Sequence, residues 1–243
     1  MINVTDYNKA VEVRENLWWV GWPDYNAGFS NNPYLMVEED VVILFDPGSA
    51  LPEHWGIVRR KVESVVPLNR VTTVVVHHQD PDLCAAIPLL EQELGVDAFE
   101  IVTSDRTAVF IPYYNVRTEV TPVQDSEVMT IGENHELLFI TTPYLHFPGA
   151  INSYDLKYRA LFSSDIFGAF SVDWALYANE NYRHAMKVFG EPYFASKAAV
   201  QNYVAKIKNL EIDLILPQHG SIINDDIPSY VQTLEEMEVG QWR

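Results

Sequence analysis

From Leu17 onward, short apolar runs alternate with turn residues: LWWV, then PYLMV, then VVILF closed by Asp46-Pro47-Gly48. Runs of this length, rich in β-branched and aromatic residues, predict a meander of antiparallel strands. The period then changes. Between residues 53 and 64 the apolar positions Trp55, Val58 and Val62 recur among charges at helical spacing, and VTTVVV from Val71 reads as a strand buried on both faces. Strand, helix and strand make a βαβ step. A further helix, with Pro88 in its first turn, is expected to run to about Glu93 and stop at Gly95, before the strand FEIVT. The strand pattern then resumes with ELLFITT near Thr141, RALFSS near Ser163 and IDLILP before Pro217. Residues 181 to 189, 195 to 208 and 227 to 238 carry helical periods. Strand-rich blocks with helices after each half predict an α+β fold, a four-layer αββα sandwich of two packed sheets with helices outside. No internal repeat, Gly/Ser linker or low-complexity tract interrupts the chain, so residues 1–243 read as one domain.

Composition supports a packed core, with 48% hydrophobic and 12% aromatic residues. No stretch reaches the roughly 18 to 20 continuous apolar residues that cross a bilayer. The N-terminal MINVTDYNK lacks the basic and apolar regions of a secretory signal, so a cytoplasmic protein is expected. The formal charge of -18 repels phosphate backbones and anionic lipid, which argues against nucleic acid and membrane partners. A single cysteine, Cys84, excludes an internal disulfide, a four-cysteine zinc module and a cysteine-ligated iron–sulfur cluster within one chain. A metal here must be held by histidine and carboxylate.

Candidate ligands gather where predicted strands end, the usual ligand-binding position in open sheets. VTTVVV runs into His77-His78-Gln79-Asp80-Pro81-Asp82, ELLFITT into Pro143-Tyr144-Leu145-His146, RALFSS into Asp165, and IDLILP into Gln218-His219-Gly220. His78, Asp80, Asp82, His146, Asp165 and His219 supply three imidazoles and three carboxylates, a set suited to two metal ions. His78, Asp80 and Asp82 fall at every second residue, so an extended loop would aim all three to one side. The separated Asp165 is the natural bridge between ions about 3.5 to 4 Å apart. Plainer uses compete. Asp82 could cap the helix that follows, and Asp46 could serve only its own turn. His77 reads as a strand or supporting residue, and His54, His135 and His184, set among polar residues, read as solvated surface. His146 or His219 alone would read as a core histidine; it is the joint placement at successive strand ends that points to metal. Tyr144, Phe147, Phe167, Phe170, Tyr193 and Phe194 would either shield a pocket or pack the core.

At these residues the chain resembles the metallo-β-lactamase superfamily, and within it the diiron domain of the flavodiiron proteins. Hydrolases of the superfamily carry H-x-H-x-D-H and the flavodiiron branch H-x-E-x-D-H, whereas this chain has His78-Gln79-Asp80-Pro81-Asp82-Leu83. A carboxylate in the second position favours iron or manganese over zinc. The similarity extends through NLWWVGWPD, PYLMVEEDVVILFDPG, PYLHFPGA, LFSSDIFGAF and PYFASKAAVQNYVAKIKNLEIDLILPQHG. It implies one iron on His78, Asp80 and His146, a second on Asp82 and His219, and Asp165 between them. His77, Leu83, Tyr144, Phe147 and Tyr193 would surround the ligands. Three departures matter: Asp80 is one methylene shorter than the family glutamate, Leu83 replaces the last histidine, and the sequence ends at Arg243, where no FMN-carrying flavodoxin domain is expected. The resemblance is therefore greatest to the stand-alone oxygen-binding diiron proteins. It implies dioxygen bound as a bridging peroxo adduct and an oxygen sensor that reports to a chemoreceptor in chemotaxis. The alternatives are an oxygen or nitric oxide reductase subunit served by a separate flavodoxin or rubredoxin donor, and a zinc-dependent hydrolase, against which Asp80 and Leu83 both count. Family members commonly pair head to tail, so a homodimer is expected.

Overall fold

In chain order the first elements are β1 (Val11–Arg14), β2 (Leu17–Trp19), β3 (Trp22–Asp24), β4 (Phe29–Asn31), β5 (Tyr34–Val37), β6 (Val42–Phe45), α1 (Pro52–Val65), β7 (Thr73–Val75), α2 (Pro81–Cys84), α3 (Ile87–Leu94), β8 (Glu100–Ser104), α4 (Asp105–Ala108) and β9 (Val120–Val123). There follow β10 (Val128–Ile131), β11 (His135–Thr141), β12 (Ile151–Asp155), β13 (Ala160–Ser164), α5 (Tyr182–Tyr193), α6 (Lys197–Ile207), β14 (Leu214–Pro217) and α7 (Ile227–Glu236). These come from a computed structural model that describes residues 6–25, 28–170 and 174–240. Met1 to Thr5 of the N-terminal segment lie outside the described residues. The chain forms two compact units: one takes the chain through Pro23, Asn31–Val123 and Ile131–His135, the other Asp24–Ser30, Gln124–Thr130 and the chain from Glu136.

The first unit is built on a seven-stranded sheet of order β1-β2-β5-β6-β7-β8-β9. β2, β5 and β6 form the expected antiparallel meander, while β6 to β9 are parallel. The crossover from β6 to β7 through α1 confirms the βαβ step. β6 and β7 are buried at every position, which is what an apolar run without alternation requires. Helix α1 turns Trp55, Val58 and Val62 inward, and with Ile87 and Leu90 of α3 they pack on Leu35, Leu44, Val74 and Ile101. Gly95, at φ 109, ends α3 where a side chain would be strained.

The second unit carries a five-stranded sheet of order β10-β11-β12-β13-β14. β11 is antiparallel to β12, β12 to β13, and β13 is parallel to β14. Hence β11, β13 and β14 run the same way and end at the same edge. Ile140, Tyr154, Leu161 and Ile215 pack on Tyr182 and Met186 of α5, Val200 and Tyr203 of α6, and Leu234 of α7.

The main differences from expectation are local. β12, INSYD, is wholly buried despite three polar residues, because its backbone pairs on both sides. Helix α5 runs to Tyr193 rather than 189; Pro192 in its last turn has no N–H to donate to the carbonyl four residues back, and the helix ends one residue later.

Candidate metal centre

In the second unit the focal group is Asp165. β13 ends at Ser164, whose φ of 52 accompanies a register shift against β14 and turns the chain. The Ser163 hydroxyl donates to Ile166 O at 2.6 Å and Gly168 N–H donates to Asp165 O at 3.0 Å, closing a tight turn. A Cβ on Gly168 would fall 2.9 Å from that same carbonyl, so glycine is needed there. The turn sets the buried carboxylate between two imidazoles: Oδ2 lies 2.6 Å from His146 Nε2 and Oδ1 3.4 Å from His219 Nε2.

The His219 ring is fixed by its other nitrogen. Nδ1 lies 2.8 Å from the Ser30 carbonyl oxygen, which only accepts, so Nδ1 carries a proton, and in the neutral ring Nε2 is then the nitrogen that can ligate a metal. A carbonyl behind the ring is also the usual support of a metal-binding histidine. Ser30 grips the next residue too, its hydroxyl accepting Gly220 N–H at 2.7 Å and donating to Gly220 O at 3.2 Å. The Tyr182 hydroxyl accepts from Ser221 N–H at 3.0 Å and donates to Phe167 O at 2.9 Å, tying the segment after His219 to the turn after Asp165. Burial pushes this phenol up, so it keeps its proton.

Aromatic rings enclose the two histidines. Phe29 lies 4.0 Å from the His219 ring, Phe170 lies 5.2 Å from Phe29 and 4.8 Å from Phe189, and Tyr193 lies 4.9 Å from Phe189 and 5.7 Å from His146. Of the aromatic residues singled out in the sequence, Tyr193 and Phe170 join this enclosure, while Phe167 and Phe194 are core. Tyr144, at φ 68, is half exposed, and its N–H donates to the carbonyl of the half-buried Phe147. Phe29, Ser30 and Phe189 escaped the sequence reading. Phe189 and Tyr193 do show the i,i+4 spacing of a shared helix face; Phe29 and Ser30, some 190 positions from His219, give no such sign.

In the first unit, β7 delivers His77 and His78. Asp46, at φ 47, does more than shape its own turn: Oδ1 accepts the His77 backbone N–H at 2.9 Å and Oδ2 meets His77 Nδ1 at 2.5 Å, all buried. His78 Nε2 lies 3.5 Å from Asp80 Oδ2. The backbone is extended only to Asp80, because Pro81 begins α2; Asp82 sits in the first turn of that helix and Asp80 occupies the N-cap position. This corrects two expectations, the continuous extended loop and the capping role of Asp82. The Gln79 carbonyl accepts from Tyr114 Oη at 2.6 Å and from Cys84 Sγ at 3.2 Å, and burial pushes both donors up so that they stay protonated. Leu83 is fully buried and its carbonyl accepts Gly48 N–H at 2.8 Å. Among the remaining histidines, His184 is exposed as expected. His54 is half-buried against Trp22, and His135, at the start of β11, is buried, which corrects its surface assignment.

His146 and Asp165 thus belong to a histidine–aspartate grouping able to hold a metal. The donors fit one: imidazole nitrogen and carboxylate oxygen, one ring locked in its ligating tautomer, and no thiolate. A family model described as ODP family beta lactamase matches residues 29–220. The chain belongs to this family. Among curated relatives of this ODP-family chain, the anaerobic nitric oxide reductase flavorubredoxin of Aliivibrio salmonicida is 23% identical over 89% of the chain and 47% of its own length. The chain spans about half the length of such relatives. Rubredoxin oxygen:oxidoreductase from Desulfovibrio gigas superposes with a TM-score of 0.82 at 22% identity, over 94% of the chain and 61% of that structure. The apo chemotaxis sensor ODP from T. denticola gives a TM-score of 0.80 at 24% identity, over 95% of the chain and 94% of that structure, and a structure of the peroxy diiron species of chemotaxis sensor ODP gives 0.80 at 24% identity over 95% of the chain and 96% of that structure. These likenesses establish the metallo-β-lactamase-like fold expected from the sequence.

Proposed function

We propose that this ODP-family protein is an oxygen sensor of chemotaxis signalling that binds dioxygen at two irons. His78, Asp80 and His146 would hold one iron, Asp82 and His219 the other, with Asp165 shared, in a single domain. The observation that carries the reading is the Asp165 carboxylate, with one oxygen toward His146 and the other toward His219. When bound, the ferrous pair supplies the electrons that let dioxygen bind reversibly or be reduced. The chain's own residues set the conditions. Ser30 holds His219 in its ligating tautomer, and Phe29 and Phe189 pack against the buried His219 while the more exposed Phe170 and Tyr193 flank them. Leu83 leaves an apolar side chain where an imidazole would move protons, which favours holding oxygen over reducing it. A chemoreceptor is the proposed partner, the cytoplasm the proposed location and a homodimer the proposed assembly.

The test is anaerobic reconstitution with ferrous iron, metal analysis, and optical spectra after oxygen is admitted. The expected result is close to two irons per chain and a visible absorption that outlasts a catalytic turnover. Two tightly held zinc ions that ferrous iron cannot displace would favour a hydrolase instead. A second reading rests on the flavorubredoxin relative: a reductase of oxygen or nitric oxide that draws electrons from a separate flavodoxin or rubredoxin. Rapid, repeated consumption of either gas with such a donor would establish it.

A further inference from the structure

The helix-facing side of the second unit's sheet is apolar except at one end. Ile140, Tyr154, Leu161 and Ile215 share this side and pack against the helices. Asn152 pairs with Ile140 and lies two residues before Tyr154, so it faces the same way. Thr142 follows Ile140 by two, and its N–H donates to Ala150 O at 2.8 Å, which sets it diagonal to Asn152 across the strands. Helix α6 is tied along this end. Ala195 N–H donates to Tyr144 O at 3.1 Å, and Lys206 Nζ donates to Thr141 O at 2.7 Å and Oγ1 at 2.9 Å. Tyr203, one turn before Lys206, packs in the same core cluster as Ile140 and Tyr154, its ring 6.3 Å from Phe167, two residues past Asp165.

All three side chains are fully buried. Thr142 Oγ1, Asn152 Oδ1 and Tyr203 Oη have no hydrogen-bond partner among the described residues. Native interiors rarely leave such atoms unsatisfied, because each gives up its hydration without return. Their chemistry is complementary: two hydroxyl donors and one carbonyl acceptor. A water molecule accepts two hydrogen bonds and donates two, and two to four polar partners suffice to hold one in a protein interior. Burial also keeps the Tyr203 phenol protonated, so it remains a donor.

We propose that Thr142, Asn152 and Tyr203 form a binding site for a buried water molecule that fastens β11, β12 and α6 behind the segments carrying His146 and Asp165. The site is separate from the metal ligands and does not depend on the oxygen-sensing reading. A high-resolution crystal structure of the full chain should show ordered solvent within hydrogen-bond distance of all three atoms. Direct hydrogen bonds among the three, or a dry gap, would overturn the proposal. In solution, Tyr203→Phe and Asn152→Leu should each lower the melting temperature by about 2 to 6 °C. The double variant should lose little more than either single one, since the shared water is already lost. Fully additive losses would count against a shared water, and should a variant fail to fold, the wild-type crystal structure decides.

Discussion

Asp165 is the residue on which both histidines of the second unit converge, and its two contacts differ in kind. His146 Nε2 at 2.6 Å is within hydrogen-bond distance, whereas His219 Nε2, on a ring whose Nδ1 donates to the Ser30 carbonyl, faces Oδ1 at the longer distance of 3.4 Å. Asp165→Ala should therefore abolish iron loading at both positions, while Asp165→Glu should retain part of it; iron content after reconstitution decides. Equal loading of the alanine variant and wild type would show that the carboxylate holds no metal. The pair behind His78 gives a second prediction. His77→Phe keeps the near-parallel ring 6.2 Å from Phe45 but removes the donor to Asp46, leaving a buried carboxyl with only the backbone N–H. Loss of one partner of a buried pair costs roughly 3 to 5 kcal/mol, to be read from denaturant unfolding of the metal-free protein. His77 was recognisable in the sequence as a supporting residue; its partner was not, because a turn aspartate has a sufficient local reason to exist.

At the scale of elements, the ligand segments gather because β11, β13 and β14 run in one direction and end at one edge, which no single strand reveals in the sequence. The apolar strands were nevertheless legible: VVILF, FEIVT and IDLILP announce themselves by β-branched composition, and α1 and α3 by period and by Gly95. β12 was not, since Asn152, Ser153 and Asp155 read as loop residues until neighbours on both sides pair the backbone. Nor was the two-stranded β3–β4 sheet, whose Ser30 reaches Gly220 across a sequence separation of 190. The six candidate ligands stood out because histidine and aspartate at strand ends are rare as structural choices, and the structure sets Asp165 beside His146 and His219, whereas the aromatic enclosure was hidden among ordinary core residues. The link between the Asp165 turn and the His219 segment rests on Tyr182 of α5. Tyr182→Phe leaves Ser221 N–H and Phe167 O without their shared hydroxyl, and about 1 to 3 kcal/mol of stability should be lost. If the link matters to the site, iron dissociation should also quicken; unchanged stability and unchanged iron release would show that water replaces the hydroxyl at no cost.

For the molecule as a whole, a formal charge of -18 makes a fully buried cation conspicuous. Lys61 of α1 donates to Tyr7 O at 2.6 Å and Gly21 O at 2.5 Å and stands 3.9 Å over the Trp19 ring, joining the chain before β1, the end of β2 and the helix. Burial lowers its pKa from the ordinary 10.5 to about 7; Arg60 pushes the same way, and Asp6 opposes both. Between those two values the unfolded chain binds more protons than the folded one, so this group makes folding stability rise with pH through the window and leaves it flat below about pH 7. The full effect of such a shift is about 1.4 kcal/mol per pH unit, and the carbonyls and the π face, which favour the ammonium, reduce it. Lys61→Met fills the space without a titrating group and should remove the rise. Denaturant midpoints at pH 7 and pH 9 for both proteins test this. The wild type should gain stability at the higher pH and the variant should not, although the variant, lacking the donor to two carbonyls, should be the less stable of the two at pH 9. A parallel rise in both would assign the pH dependence to other groups and leave Lys61 as a purely structural clasp.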